Sequence, residues 1–201
     1  MIDLTHKINS KIREYPGDIK TTFSCVNEED CTVTNLNIAL HTGTHIDTPY
    51  HYFKDGKRVI DYDLSAFCGR ASVLSCENIV KNQAINLDNI IVKNSLEKII
   101  ILNTGWHNNF ASDKYFYENP YLSSEFSDYL IENNIKGIAI DTCSVDKFGE
   151  NKIHKKLLKN DIWIVENLTN CDKLVKNSYD AYFIPLKIDA EASLIRAFVK
   201  K

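Results

Sequence analysis

The sequence lacks the features that mark membrane-spanning, secreted and nucleic-acid-binding proteins. Its longest apolar stretches, such as Ile99–Leu102 and Ile162–Val165, are far shorter than a membrane span and predict buried strands. The formal net charge of −3 comes without a basic stripe, so we expect no binding to nucleic acid or to membranes. Residues 1–18 contain no apolar signal-peptide core, which leads us to expect a cytoplasmic protein.

Cysteine pairs with metal-binding spacing are also absent. The six cysteines form no C-x-x-C pair, so a cysteine zinc site is not expected. In the cytoplasm we expect them to be reduced thiols. Cys143 follows Asp141 near a predicted strand end, where a catalytic thiol is one interpretation. The interpretation that we favour is a small buried residue.

Glycine and proline are scarce, with seven and four residues, so each one marks a local feature. Tyr15–Asp18, which reads YPGD, predicts a turn. Thr32–Leu40 reads as a strand with one buried face, and Leu87–Lys93 as a short helix. Pro185 lies inside another apolar run and predicts an edge strand or a bulge there.

Strand and helix patterns alternate in the second half of the chain. The clearest examples, in chain order, are strand Lys98–Leu102, helix Ser123–Asn133, strand Gly137–Ile140 and helix Lys152–Lys159. Such alternation predicts an α/β fold with some parallel strand pairing, while the β-rich first half makes the sheet mixed. We therefore expect a single domain over residues 1–201, with a mixed β-sheet core flanked by helices.

The most informative segment is residues 41–51, which reads HTGTHIDTPYH. It contains half of the six histidines in the chain and one carboxylate, at His41, His45, Asp47 and His51. Neutral imidazole and carboxylate are the ligands that hold Zn²⁺ or Mn²⁺ in proteins. Such a cluster would be costly to assemble without a function. The segment therefore predicts a metal site.

The local conformation of this segment is expected to be a bent loop. All four metal-type residues are odd-numbered, so an extended chain would point them to one side. Gly43 and Pro49 nevertheless argue against a regular central strand. Gly43 and Thr44 also disfavour the helix of an H-E-x-x-H site. A loop that folds the four side chains together fits the sequence best.

The segment resembles the H-x-G-T-H-x-D-x-P-x-H signature of the cyclase-like metal-dependent hydrolases, a family that includes bacterial kynurenine formamidases and isatin hydrolases. The resemblance continues in the same order along nearly the whole chain. The further matching segments are Asp3–His6, Tyr15–Asp18, Thr104–Trp106, Gly137–Asp146, His154–Leu158 and Val165–Leu168.

The resemblance implies a role for each matching residue and a swivelling β/β/α-like fold. His41, His45 and Asp47 would hold a first metal ion. Asp47 would bridge to a second ion, which His154 and Glu166 complete. The implied cofactor is Zn²⁺, two ions per subunit, with Mn²⁺ as the alternative. The family also implies a homodimer or a larger homo-oligomer.

The implied reaction is hydrolysis of a small amide, with His51 as the proton donor and acceptor. The first candidate substrate is N-formylkynurenine, which would give kynurenine and formate. Kynurenine formamidases carry a tryptophan before the P-G-D turn, where this chain has Tyr15, so the substrate contact is altered. A cyclic amide such as isatin is therefore an alternative substrate.

A non-catalytic module that binds metal or a small molecule is the remaining alternative. The complete set of metal-type residues together with His51 argues against it. Whether Phe53, Trp106 and Cys143 line the pocket is left open by the sequence. His6 and His107 are expected to be ordinary polar residues rather than ligands.

Overall fold

A closed, mixed β-barrel forms the centre of the protein in the computed structural model, which describes residues 1–27, 30–76, 79–90 and 95–200. The strands are β1 Ile2–Asp3, β2 Thr22–Asn27, β3 Thr32–Asn37, β4 His45–Asp47, β5 Cys68–Ser75, β6 Ala84–Ile85, β7 Ile99–Asn103, β8 Tyr121–Leu122, β9 Gly137–Ile140, β10 Trp163–Glu166, β11 Ser178–Pro185 and β12 Ala192–Lys200. The α-helices are α1 Lys114–Tyr117, α2 Ser124–Glu132 and α3 Lys152–Lys159. Short 3₁₀ turns occur at Pro49–His51, Val59–Asp61, Leu64–Phe67, Leu87–Asn89, Trp106–Asn109 and Cys171–Lys173. None of the described helices has the length and apolarity needed to span a membrane.

Within the described residues, seven strands close the barrel in the order β4, β12, β11, β5, β7, β9 and β10, and β10 pairs again with β4. Three of the pairings are parallel, namely β5 with β7, β7 with β9 and β9 with β10. Strands β11, β12 and β4 pair antiparallel. Strand β1 pairs with residues 198–199 of β12, beyond the part of β12 that pairs with β4. This arrangement confirms the predicted α/β fold with a mixed sheet.

The strands of the barrel bury side chains on both of their faces. In β7, Ile99 and Ile101 point into the barrel interior, whereas Ile100 and Leu102 point outward beneath α2 and α3. Successive residues of a strand alternate between its two sides, so a continuous apolar run is what a two-sided strand requires. Full burial of one such side chain stabilises the fold by about 1.5–3 kcal/mol. The two cores together hold the barrel and its helices in place.

Two predicted elements have the bounds that the structure shows, namely the strand Gly137–Ile140 and the helix Lys152–Lys159. Helix α2 begins one residue later than predicted, because Ser123 serves as its N-cap. The hydroxyl oxygen of Ser123 accepts the backbone N–H of Phe126 at 3.0 Å. Pro185 is the last residue of β11, where it interrupts no further pairing.

The prediction that Thr32–Leu40 forms a strand with one buried face was wrong. Strand β3 ends at Asn37 and pairs with β2 in a hairpin, and all its residues are exposed. Alternation of apolar and polar residues signals two different faces, but it does not show what covers them. Of the predicted helix Leu87–Lys93, residues 87–89 form a single 3₁₀ turn. Residues 91–93 lie outside the described residues.

Candidate metal centre

The middle of the 41–51 segment is a strand rather than a loop. Strand β4 is hydrogen-bonded to β10 on one side and to β12 on the other. The expectation that Gly43 and Pro49 exclude a central strand was therefore wrong, since a strand of three residues fits between them. Gly43, with a φ of 68°, ends the preceding turn, and Pro49 begins the following 3₁₀ turn that contains His51.

Strand geometry directs the metal-type side chains to one face of the barrel wall. Ile46 points into the barrel core, so His45 and Asp47 point outward. Glu166 lies directly opposite His45 in the β4–β10 register, and opposed residues share a face of the sheet. Helix α3, which runs back towards β10, brings His154 onto the same face. Residues distant in the chain thereby meet at one point.

The donor atoms form two groups that share Asp47. His41, His45 and Asp47 each offer one atom, all within 4.8 Å of one another, and so do Asp47, His154 and Glu166. Oδ1 of Asp47 lies 2.9 Å from Nδ1 of His41 and 3.5 Å from Nε2 of His45. Nε2 of His154 lies 3.6 Å from Oδ2 of Asp47 and 3.1 Å from Oε1 of Glu166.

The burial of these atoms fits a bound cation. His45, Asp47, His154 and Glu166 are all buried. Nε2 of His45 and Oδ1 of Asp47 have no hydrogen-bond partner of acceptable geometry among the described residues. Unpartnered buried polar atoms and adjacent buried carboxylates destabilise a fold unless something compensates them. Imidazole and carboxylate are ligands of divalent metal ions, so the donor set fits such an ion.

Hydrogen bonds on the far sides of the rings orient the imidazoles. Nδ1 of His45 donates to the carbonyl oxygen of Gly43 at 2.9 Å. Nδ1 of His154 donates to Oδ2 of Asp146 at 2.7 Å. In both residues Nε2 is thereby left to face the carboxylates, which is the usual arrangement around a metal ion. The contact of Asp146 with His154 was not predicted from the sequence.

His51 lies beside the two donor groups but belongs to neither of them. Its ring centroid is 4.4 Å from that of His41 and 6.1 Å from that of His154. Burial lowers the pKa of His51 to about 4, opposed by the charge of Asp47. The pKa of His41 changes in the other direction: despite burial, the Asp47 carboxylate raises it to about 10. The two neighbouring histidines therefore have opposite pKa shifts in the protein without a metal ion.

A cavity of about 250 Å³ opens over these side chains. The candidate ligands and His51 form part of its lining, and its walls include Tyr15, Phe116 and Cys143. Trp106 packs against the aromatic cluster behind that wall, and Phe53 packs against the core beneath α2 and α3. Neither of them contributes to the lining. A space of this size suits a small molecule.

Cys143 is a buried thiol with no sign of activation. Burial raises its pKa well above the ordinary value, and its Sγ donates weakly to the backbone carbonyl of Tyr115 at 3.5 Å. A reactive cysteine needs a lowered pKa. The favoured interpretation of Cys143 as a small buried residue agrees with this environment.

Two further residues near the site were given no role from the sequence. Oε1 of Glu191 lies 3.4 Å from Nε2 of His41, and the Asn167 amide lies 3.5 Å from Nδ1 of His45. Glu191 precedes β12 directly, and its proximity depends on the pairing of β12 with β4. A contact that depends on barrel closure cannot be read from local spacing.

Comparison with known proteins places this arrangement in a family. The sequence model of the Cyclase family matches residues 2–147, which is more than half of the chain. The chain belongs to the cyclase family. The kynurenine formamidase of Bacillus mycoides is 30% identical over 206 residues, which cover 99% of this chain and 96% of that protein. The kynurenine formamidase of Bacillus cereus (strain ATCC 14579) has the same identity and coverage.

Solved structures share the fold of this cyclase family member. Isatin hydrolase A from Labrenzia aggregata has a TM-score of 0.80 and 21% identity, over 98% of this chain and 92% of that one. A predicted metal-dependent hydrolase from Bacillus stearothermophilus has a TM-score of 0.83 and 21% identity, with 98% and 96% covered. These likenesses confirm the barrel architecture.

Proposed function

We propose that the protein is a metal-dependent amidohydrolase that cleaves an aryl formamide, such as N-formylkynurenine, into kynurenine and formate. The observation that carries this proposal is the pair of donor groups sharing Asp47, which line one cavity together with His51. Relatives that match almost the whole chain are kynurenine formamidases, which supports the choice of substrate.

The proposed cofactor is Zn²⁺, two ions per subunit, with Mn²⁺ as the alternative. His41, His45 and Asp47 would hold one ion, and Asp47, His154 and Glu166 the other. A divalent ion bound there would polarise the substrate carbonyl and lower the pKa of bound water to about 7.

His51 is the proposed proton carrier. Hydrolysis adds the oxygen of water to the carbonyl carbon and breaks the C–N bond, and the leaving nitrogen must gain a proton. Neutral His51 lines the cavity beside the donor groups, and its unprotonated ring nitrogen would take the proton of the attacking water. The same nitrogen then returns that proton to the leaving nitrogen, and neutral His51 is restored.

Aromatic side chains form the proposed contact with the aryl part of the substrate. Tyr15 lines the cavity, and its ring lies edge-on to Phe116 at 5.9 Å between centroids. Isatin, a cyclic amide, is the second candidate substrate, because isatin hydrolases share the fold. The two substrates would use the same ligands and His51, and would differ in how they contact the cavity wall.

Activity measurements with defined substrates test the proposal. Purified protein would be assayed on N-formylkynurenine, isatin and simple formanilides, before and after chelation and metal return. We expect turnover of the formamide, lost on chelation and restored by Zn²⁺ or Mn²⁺. Turnover that survives both chelation and Asp47→Asn would refute the metal mechanism. Metal binding without turnover of any substrate would favour the non-catalytic binding module.

The role of His51 is separated from metal binding by a matched pair of variants. His51→Asn should bind metal as the unmodified protein does and lose most of the activity, since positioned acid–base groups contribute about 10²–10⁴-fold. His6→Asn is the control, because His6 does not line the cavity. Loss of metal from His51→Asn would instead make His51 a ligand.

We further propose that residues 1–201 act as one domain that forms a homodimer or a larger homo-oligomer in the cytoplasm. The β2–β3 hairpin supports the assembly, because its cross-strand pairs Phe23 with Leu36 and Val26 with Val33 are exposed. Exposed apolar pairs on a two-stranded hairpin are typical of a contact surface. Light scattering of the unmodified protein and of Val33→Lys would test this: a monomer in both would refute it.

A further inference from the structure

The ring of His51 is held differently from the rings of the candidate ligands. Nδ1 of His45 donates to the carbonyl oxygen of Gly43. Nδ1 of His154 donates to the carboxylate of Asp146. Among the described residues, neither ring nitrogen of His51 makes a hydrogen bond. A proton carrier must nevertheless keep its nitrogen within hydrogen-bond reach of the reacting group. The packing of neighbouring side chains is therefore what orients the ring of His51.

Two aromatic rings pack against His51. The ring centroid of Tyr52 lies 4.4 Å from that of His51, and the two planes are at 75°, a T-shaped arrangement. The centroid of His41 also lies 4.4 Å away, with the planes tilted by 39°. T-shaped pairs are favoured because the positive edge of one ring meets the negative face of the other. Since His41 is itself a proposed ligand, Tyr52 is the contact that does not depend on a metal ion.

The ring of Tyr52 is in turn anchored by the fold. It packs against the buried core beneath α2 and α3. The backbone N–H of Tyr52 donates to the carbonyl oxygen of Pro49 at 3.2 Å, which closes the 3₁₀ turn that contains His51. Nζ of Lys155 lies over the ring, 5.5 Å from its centroid, within the range of a cation–π contact. The core, the turn and a lysine thus restrict the movement of this ring.

We propose that Tyr52 is a positioning residue whose aromatic ring holds the imidazole of His51 in place for proton transfer. This inference rests on the proposed role of His51 as the proton carrier. Both residues line the same cavity. The hydroxyl of Tyr52 has no hydrogen-bond partner among the described residues, so the ring itself makes the contact. Without that ring the imidazole could rotate away from the reacting atoms, and a misplaced catalytic group slows the reaction.

Adjacency in the sequence does not by itself bring these two rings together. Consecutive side chains in a 3₁₀ turn point about 120° apart. The turn ends at His51, and Tyr52 follows it with a φ of −119°, outside the helical range. The two rings meet at this point, where the chain leaves the turn. The sequence therefore gave Tyr52 no role.

Kinetics of a matched set of variants tests the proposal. Tyr52→Leu should lower kcat for N-formylkynurenine by about 10–100-fold with little change in KM, and Tyr52→Phe, which keeps the ring, should retain the kcat of the unmodified protein. Metal affinity of Tyr52→Leu, measured by competition with a chelator, should be unchanged. The ligand His154 lies 5.7 Å from Tyr52 between ring centroids, but Asp146 already orients it.

Tyr50→Leu is the matched control. Tyr50 belongs to the same 3₁₀ turn and also has a cation over its ring, with Cζ of Arg58 4.3 Å from the centroid. It does not line the cavity, so its loss should leave kcat unchanged. Circular dichroism would check that each variant is folded, and Tyr52→Met would replace Tyr52→Leu if that variant is not.

NMR of the metal-free protein gives a readout that does not depend on hydrolysis. The nuclear Overhauser effect between the ring protons of His41 and His51 should be present in the unmodified protein and in Tyr52→Phe, and should weaken in Tyr52→Leu. The proposal is overturned if Tyr52→Leu keeps the full kcat, if Tyr52→Phe loses as much as Tyr52→Leu, or if the Overhauser effect is the same in all three proteins. If the unmodified protein hydrolyses no substrate, the proposed function fails, and the Overhauser effect still decides whether Tyr52 positions His51.

Discussion

Replacing Asp146 with asparagine should weaken metal binding without altering any proposed ligand. The buried carboxylate of Asp146 accepts three N–H groups. Two are the backbone N–H groups of Ile153 and His154 in the first turn of α3, at 2.8 and 2.9 Å. The third is Nδ1–H of His154 at 2.7 Å. Asn151, the N-cap residue of α3, provides no side-chain bond, so Asp146 performs that role as well.

The magnitude follows from these contacts. Asparagine retains the shape of Asp146, but it presents one NH₂ group where there was an oxygen, so at least one of the three donors faces another donor. A hydrogen bond to a charged group contributes about 1.5–3 kcal/mol. We expect the affinity for the metal and kcat/KM each to fall by about 10–100-fold, which corresponds to about 1.4–2.8 kcal/mol. The free energy of unfolding of the metal-free protein should fall by about 1–3 kcal/mol.

The assay is competition with a chelator of known affinity, alongside kcat/KM for the substrate that the protein turns over. Asp128→Asn is the matched control, because Asp128 is an exposed carboxylate on α2 that pairs with Lys156. It should leave both quantities unchanged, since exposed ion pairs contribute little. Metal affinity and kcat/KM in Asp146→Asn that equal those of the unmodified protein would refute the reasoning that His154 depends on Asp146 for its orientation.

Three further outcomes are expected. Gly137→Ala should lower the free energy of unfolding by about 1–3 kcal/mol, because the new Cβ would lie 2.1 Å from Cε2 of the buried Trp163. An unchanged midpoint of urea unfolding would contradict this. Gly43→Ala should destabilise the protein by about 1–2 kcal/mol, since φ there is +68° and Cδ1 of Ile12 would lie 2.9 Å from the new Cβ. Equal melting temperatures of the variant and the unmodified protein would contradict this. In metal-free protein, His51 should titrate near pH 4 by NMR, since burial lowers its pKa to about 4. The unfolded chain takes up this proton at higher pH, so the free energy of unfolding should fall as pH decreases from about 6.5 to about 4. In His51→Gln the free energy of unfolding should depend less on pH over this range. Titration of His51 above about pH 6 would contradict the effect of burial on its pKa.

Elements with strong local patterns were predictable. Gly137–Ile140 is a continuous apolar run after a glycine, and Lys152–Lys159 places its apolar side chains on one face of a helix. The hairpin strand Thr32–Asn37 has an equally clear alternation, yet its side chains are exposed. The difference lies in what packs against each element, which local pattern does not contain.

By itself the sequence determined the composition of the candidate metal centre, because His41, His45, Asp47 and His51 lie close together in the chain and resemble a known signature. The tertiary structure decided how they are held. Strand β4 forms because residues 164–166 and 192–194 supply its two rows of hydrogen bonds. The same closure brings His154 and Glu166 to the other side of Asp47, and Asp146 behind His154. The family resemblance had already named His154 and Glu166, but backbone pairing between distant segments fixes where they lie, so only the closed barrel shows their positions.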